Sequence, residues 1–134
     1  MSDFAPALEE AQAVLSRAVA DAAARGRRIA AVVIDRGGHI VAAARMDGAD
    51  HLTLAIAQRR AAAAVHFAEP TRGVALRLAR DPVEAALLAG LPEMLVQPGG
   101  FPWRDAGAVA GALGIAGAGA EDDHAIGDAA IGML

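Results

Sequence analysis

The chain has no cysteine, no tyrosine and no lysine among its 134 residues. Without lysine there is no Schiff base to pyridoxal phosphate or to a carbonyl substrate. Without cysteine there is no thiol nucleophile, iron–sulfur cluster, zinc–thiolate site or c-type haem attachment. The only serines are Ser2 and Ser16, and no Gly-x-Ser-x-Gly elbow occurs, which argues against a covalent hydrolase. Catalysis, if any, is left to His, Asp, Glu, Arg, backbone groups or a bound cofactor. Aromatic residues make up 3 % and the formal net charge is −4. With neither basic runs nor stacking platforms, a nucleic-acid or acidic-lipid surface is not expected. No apolar run approaches the roughly 18 residues of a membrane span. The start, MSDFAPALEE, has neither the basic nor the apolar region of a signal peptide, so a soluble, cytoplasmic protein is expected.

What is abundant is small. Hydrophobic residues reach 55 %, but half of that share is alanine, and the chain is also rich in glycine. Small side chains permit close approach of helices and strands, yet each buries little area. A domain of this kind gains stability by covering surface between subunits, so a homo-oligomer is expected. The length suits one domain, residues 1–134.

Local patterns give an element order. Phe4 to Arg25 has apolar residues at helical spacing, with Ser2 or Asp3 as candidate caps and Gly26 as a left-handed stop. Ile29–Asp35 and His39–Met46 read as a hairpin around Gly37-Gly38. A helix spans about Asp50 to Phe67 and ends before Pro70. Short helices follow over Thr71–Ala79 and from Asp81-Pro82 to Leu88, the latter with cap and N1 proline. Met94–Gln97, Phe101–Arg104 and Ala108–Ile115 read as strands, the last two around a turn at Asp105-Ala106-Gly107. A last helix starts near Glu121. Hairpins separated by helices predict an α+β fold, a mainly antiparallel five-stranded sheet flanked by helices.

Several clusters are candidates for chemistry. Arg45 ends an apolar strand, where a guanidinium either grips a ligand carboxylate or pairs with Asp35 or Asp47. Met46, Asp47 and His51 surround the same turn. His124 and Asp128 share one helix face, either as an oriented acid–base pair beside Asp123 or as a solvated surface pair. Pro98-Gly99-Gly100-Phe101-Pro102-Trp103 offers two glycine N–H groups beside the only tryptophan. It reads equally as a ligand edge and as a stiff turn with Trp103 in a core or interface. None of the four histidines has a near histidine partner, so no metal site is predicted. The glycines at 111, 114, 117 and 119 lack the third glycine of a dinucleotide fingerprint, and Glu121, Asp122 and Asp123 stand where a pyrophosphate needs positive potential. NAD binding is therefore not expected.

Taken in order, these pieces resemble the GlcG/HbpS family, which includes the PduO C-terminal domain. They are Val32-Val33-Ile34-Asp35-x-x-Gly38, Ala44-Arg45-Met46-Asp47-Gly48-Ala49, Pro98-Gly99-Gly100-Phe101-Pro102, Gly111-Ala112-Leu113-Gly114-Ile115-Ala116-Gly117 and Asp123. The resemblance covers almost the whole chain. Arg60 stands for the family's usual lysine, Ala62-Ala63 covers a usual threonine, and Ala116 replaces a usual serine. The resemblance implies a profilin-like fold, oligomerisation with pockets near subunit contacts, and haem binding in the better known members.

Three functions follow. In the first, the protein binds haem or a related tetrapyrrole, with His51, His124 or Met46 toward the iron, Arg45 on a propionate, and Gly99, Gly100 and Trp103 along the ligand edge. In the second, it is a cofactor-independent isomerase, lyase or hydratase for a small carboxylate or carbonyl substrate. Arg45 then anchors, and Asp47, His51, Asp123 or His124 moves protons. The third is a module with no ligand of its own.

Overall fold

The computed structural model describes residues 4–134. Its elements are α1 (Leu8–Ala24), β1 (Ala30–Asp35), β2 (Ile40–Arg45), α2 (Thr53–Phe67), α3 (Thr71–Leu78), α4 (Pro82–Ala89), β3 (Gly100–Asp105), β4 (Ala108–Ala116) and α5 (Ala120–Ile131). The four strands form one antiparallel sheet in the order β2-β1-β4-β3.

Alternation along the strands separates two cores. Val33, Phe101, Trp103, Leu113 and Ile115 face α1 and α5. Val32, Ile34, Ala112 and Ala116 face α2. The second core is built from alanine, and glycine brings it close. A Cβ at Gly114 would lie 1.9 Å from the Ala57 carbonyl oxygen, and one at Gly100 would lie 2.2 Å from that of Arg60. Helix α2 thus rests directly on β3 and β4, at a distance only glycine permits.

The local signals act where expected at three places. Gly26 takes φ 68°, and Arg27 N–H donates to the Ala22 carbonyl at 2.8 Å, the reverse-turn closure of a helix end. Asp81 accepts from Glu84 N–H at 3.1 Å, with Pro82 opening α4. Ala106 and Gly107 both have positive φ between β3 and β4, the backbone of a two-residue type I′ hairpin turn.

Two expectations need correction. The helix read from Phe4 begins at Leu8, after Ala7 without a side-chain cap; the proposed caps Ser2 and Asp3 lie outside the described residues. The sheet has four strands, not five, because Met94–Gln97 is not one. Leu95 N–H donates to the Arg59 carbonyl of α2, and Gln97 N–H turns back on Leu95, both at 3.1 Å. The Gln97 carbonyl accepts from the Thr71 hydroxyl. The segment's polar backbone is used by helices and by itself, so no ladder forms.

Candidate functional site

The sequence-predicted residues fall into two groups, and among the described residues no hydrogen bond, ion pair or ring contact joins one group to the other. The first surrounds the end of β2. Arg45 NH1 donates to the Ala49 carbonyl at 2.8 Å and closes the turn, while Asp35 pairs with His39 instead. Asp35 Oδ1 also accepts from the N–H groups of Gly37 and His39. Those donors hold its carboxyl below the ordinary value, against the opposing pull of desolvation. The Met46 sulfur accepts from Ile29 N–H at 3.3 Å and packs on the core. Asp47 is exposed, and its carbonyl accepts from Arg28. The His51 side chain is 86 % exposed, 3.6 Å from Asp50.

The second group centres on a side chain that the sequence reading named only as a family departure. Arg60 projects from the buried stripe Thr53, Ala57, Arg60, Ala64 of α2. Its NH1 lies 2.8 Å from Asp123 Oδ2 and 2.7 Å from the Ile115 carbonyl. Its NH2 donates to Gln97 Oε1 at 2.8 Å. Asp123 is 1 % exposed, and its other oxygen accepts from Ala118 N–H at 2.8 Å. The pair ties α2, on one face of the sheet, to α5, on the other. Burial pushes the Asp123 carboxyl above its ordinary value, opposed by the Ala118 N–H and the Arg60 guanidinium.

The glycine turn belongs to this network. Gly99 and Gly100 are buried. Gly100 N–H donates to Thr71 Oγ1 at 2.9 Å, and the Gly99 carbonyl accepts from Ile115 N–H at 2.8 Å. A Cβ at Gly99 would meet the Ile115 carbonyl at 2.5 Å. The two glycines are spent on close packing rather than presented to solvent, and Trp103, 3 % exposed, sits in the core. His124 packs its ring on Phe101, centroids 5.2 Å apart, with its Nδ1 buried and without a partner, while Asp128 is exposed. Among the described residues, no three His, Asp or Glu side chains gather to hold a metal ion. Among the described residues, no helix is long and apolar enough to cross a membrane.

The open space lies elsewhere. A cleft of about 580 Å³ runs between α3, α4 and the segment after them. Ala75, Leu78, Ala85, Leu88, Met94 and Leu95 make it apolar, with Arg59 and Gln97 as its polar wall. The volume is within the roughly 300–1,000 Å³ of small-molecule sites. Sequence reading missed it because three separated segments build it. One signal was available: Arg60 falls on a stripe of small buried residues, where a cation requires a partner, and that partner network includes Gln97 of the cleft wall.

The model of a family described as "Haem degrading protein HbpS-like" matches residues 7–132. Among solved structures, HbpS is similar at TM-score 0.85 and 34 % identity, over 95 % of this chain and 88 % of that one. A double mutant of Streptomyces reticuli HbpS gives 0.84 and 34 %, over 95 % and 85 %. The PduOC:heme complex shares the fold at 0.82 and 22 % identity, over 94 % and 92 %. No curated protein matches the chain.

Proposed function

The chain belongs to the HbpS-like family, and from that premise we propose that it binds haem or a related tetrapyrrole in the cleft between α3 and α4. The observation that carries the proposal is the cleft itself, mostly apolar in its lining and about 580 Å³ in volume. A planar macrocycle has two apolar faces, and burying them against Leu78, Leu88 and Leu95 contributes roughly 25 cal/mol per Å². Methionine is a known axial ligand type, and Met94 is the one such side chain in the lining. His51, His124 and Met46 line other surroundings, so they are not given the iron here. When bound, haem would bring iron redox chemistry. This chain's side chains would orient the ring and exclude water from it. Degradation is not part of the proposal, because Asp47, His51, Asp123 and His124 do not line the cleft.

The same reading includes a homo-oligomer. Leu76, Val83, Leu87 and Leu91 are largely exposed around α3 and α4, and a second copy would remove them from water. A sharp monomer peak in light scattering at micromolar concentration would refute that part. The expected cytoplasmic location belongs to the proposal too, with cell fractionation as its check.

The binding itself is tested by titrating purified protein with hemin. A saturable, one-to-one Soret shift is expected, with the band altered in Met94→Ala and unaltered in His51→Ala and His124→Ala. A featureless response in all four proteins would end the proposal.

A further inference from the structure

Arg59 sits where two hollows meet. The apolar cleft counts it in its wall, and so does a second hollow of about 420 Å³ lined also by Gly37, Gly38, Gln58 and Glu93. The two share Pro92 as well. Most arginines of the chain are occupied. Arg60 holds Asp123, Arg72 holds Glu121, Arg77 holds Glu69, and Arg25 and Arg27 hold Asp122. Arg59 is exposed, and among the described residues its guanidinium has no hydrogen-bond or ion-pair partner. Only its backbone is engaged, accepting from Leu95 N–H at 3.1 Å. That bond fixes the root of the side chain against the cleft wall and leaves its fork free.

We propose that Arg59 is the anion anchor of this site, selecting ligands that carry a carboxylate at the edge of an apolar body and turning that edge toward the second hollow. The inference rests on the binding reading above and deepens it. A free planar guanidinium matches a carboxylate bidentately. The apolar cleft offers no other cation, so the charged edge of a ligand has one place to go. Gln58 and the glycine turn make the second hollow polar enough to hold it. Glu93 lines the same hollow and sets its limit, because a like charge there opposes the incoming carboxylate and weakens binding.

The two side chains therefore act in opposite directions, which makes the test specific. Fluorescence titrations with protoporphyrin IX, a dicarboxylate, and with its dimethyl ester would be run on the full chain, Arg59→Gln and Glu93→Gln. Arg59→Gln is expected to weaken the diacid about tenfold, as for a lost charge-assisted hydrogen bond, and to leave the ester unchanged. Glu93→Gln is expected to tighten the diacid about two- to threefold, the scale of an exposed charge pair. Raising the salt should weaken the diacid alone. Equal effects of Arg59→Gln on diacid and ester, or none on either, would overturn the anchor while leaving the cleft reading intact. Saturation by neither porphyrin would overturn both. Both positions are exposed, so melting temperatures should stay with the wild type.

Discussion

The seam between α2 and the sheet differs sharply from the cleft between α3 and α4. At the seam, Gly99, Gly100 and Gly114 bring backbones together until no Cβ fits. Arg60 is shared among Asp123, Gln97 and the Ile115 carbonyl. At the cleft, α4 buries no side chain, leucines stand in water, and the Arg59 guanidinium is free. A region with its polar groups paired and its space filled can hold geometry but has nothing left to offer a ligand. A region with apolar walls and an unspent cation does. On the binding reading proposed above, the conspicuous motif glycines and Asp123 serve as scaffolding and the inconspicuous 75–97 stretch serves recognition. Gln97 lies in both, on Arg60 and on the cleft wall.

This contrast can be broken from the seam first. Asp123→Ala takes the side-chain partner from both the buried Arg60 and the Ala118 N–H and should cost about 3–5 kcal/mol, the usual penalty for removing one member of a buried pair, measured by urea unfolding. The pH dependence has a definite sign. The folded carboxyl titrates above its ordinary value of 3.8, so the folded chain holds this proton more tightly than the unfolded one. Its contribution is fullest below that ordinary value and declines as pH rises through the raised one. The stability difference between wild type and Asp123→Ala should therefore shrink as pH rises across that window. A constant difference would deny the raised value.

Gly114→Ala comes next. Its Cβ meets backbone rather than a movable side-chain tip, so α2 must shift, at about 1–3 kcal/mol or more. Gln97→Ala should follow at about 1–2 kcal/mol through the lost bond to Arg60. It sharpens the comparison, because it should also weaken ligand binding, whereas Gly114→Ala at matched stability should not. The smallest effect is at the hairpin tip. Ala106 adopts φ 51°, and Ala106→Gly should stabilise by a few tenths to about 1 kcal/mol by relieving a left-handed alanine.

What was legible in the sequence was local. Gly26 as a stop, Asp81-Pro82 as a start and Ala106-Gly107 as a turn depend on neighbours within five residues, and each is where it was read. The strand reading of Met94–Gln97 failed for the same reason in reverse. Its apolar run suits a strand, but its hydrogen-bond partner is Arg59, on a helix earlier in the chain. Arg60 and Asp123 are 63 residues apart, so neither reveals the other without the fold. The family pattern made Asp123 visible and marked Arg60 as a departure, but only the buried stripe of α2 could have pointed to Arg60 as a cation in need of a partner. The glycines of the 98–103 motif were visible as unusual, but whether they face a ligand or a helix depends on what packs above them.

The binding proposed for this protein depends on recognition by the cleft. Hemin titration of Ala85→Trp, which fills the cleft from the lightly packed α4, tests it most directly. A saturable Soret band is expected in the wild type and none in Ala85→Trp, with the two melting temperatures alike. Equal saturation of both proteins would contradict it and move the site away from α3 and α4.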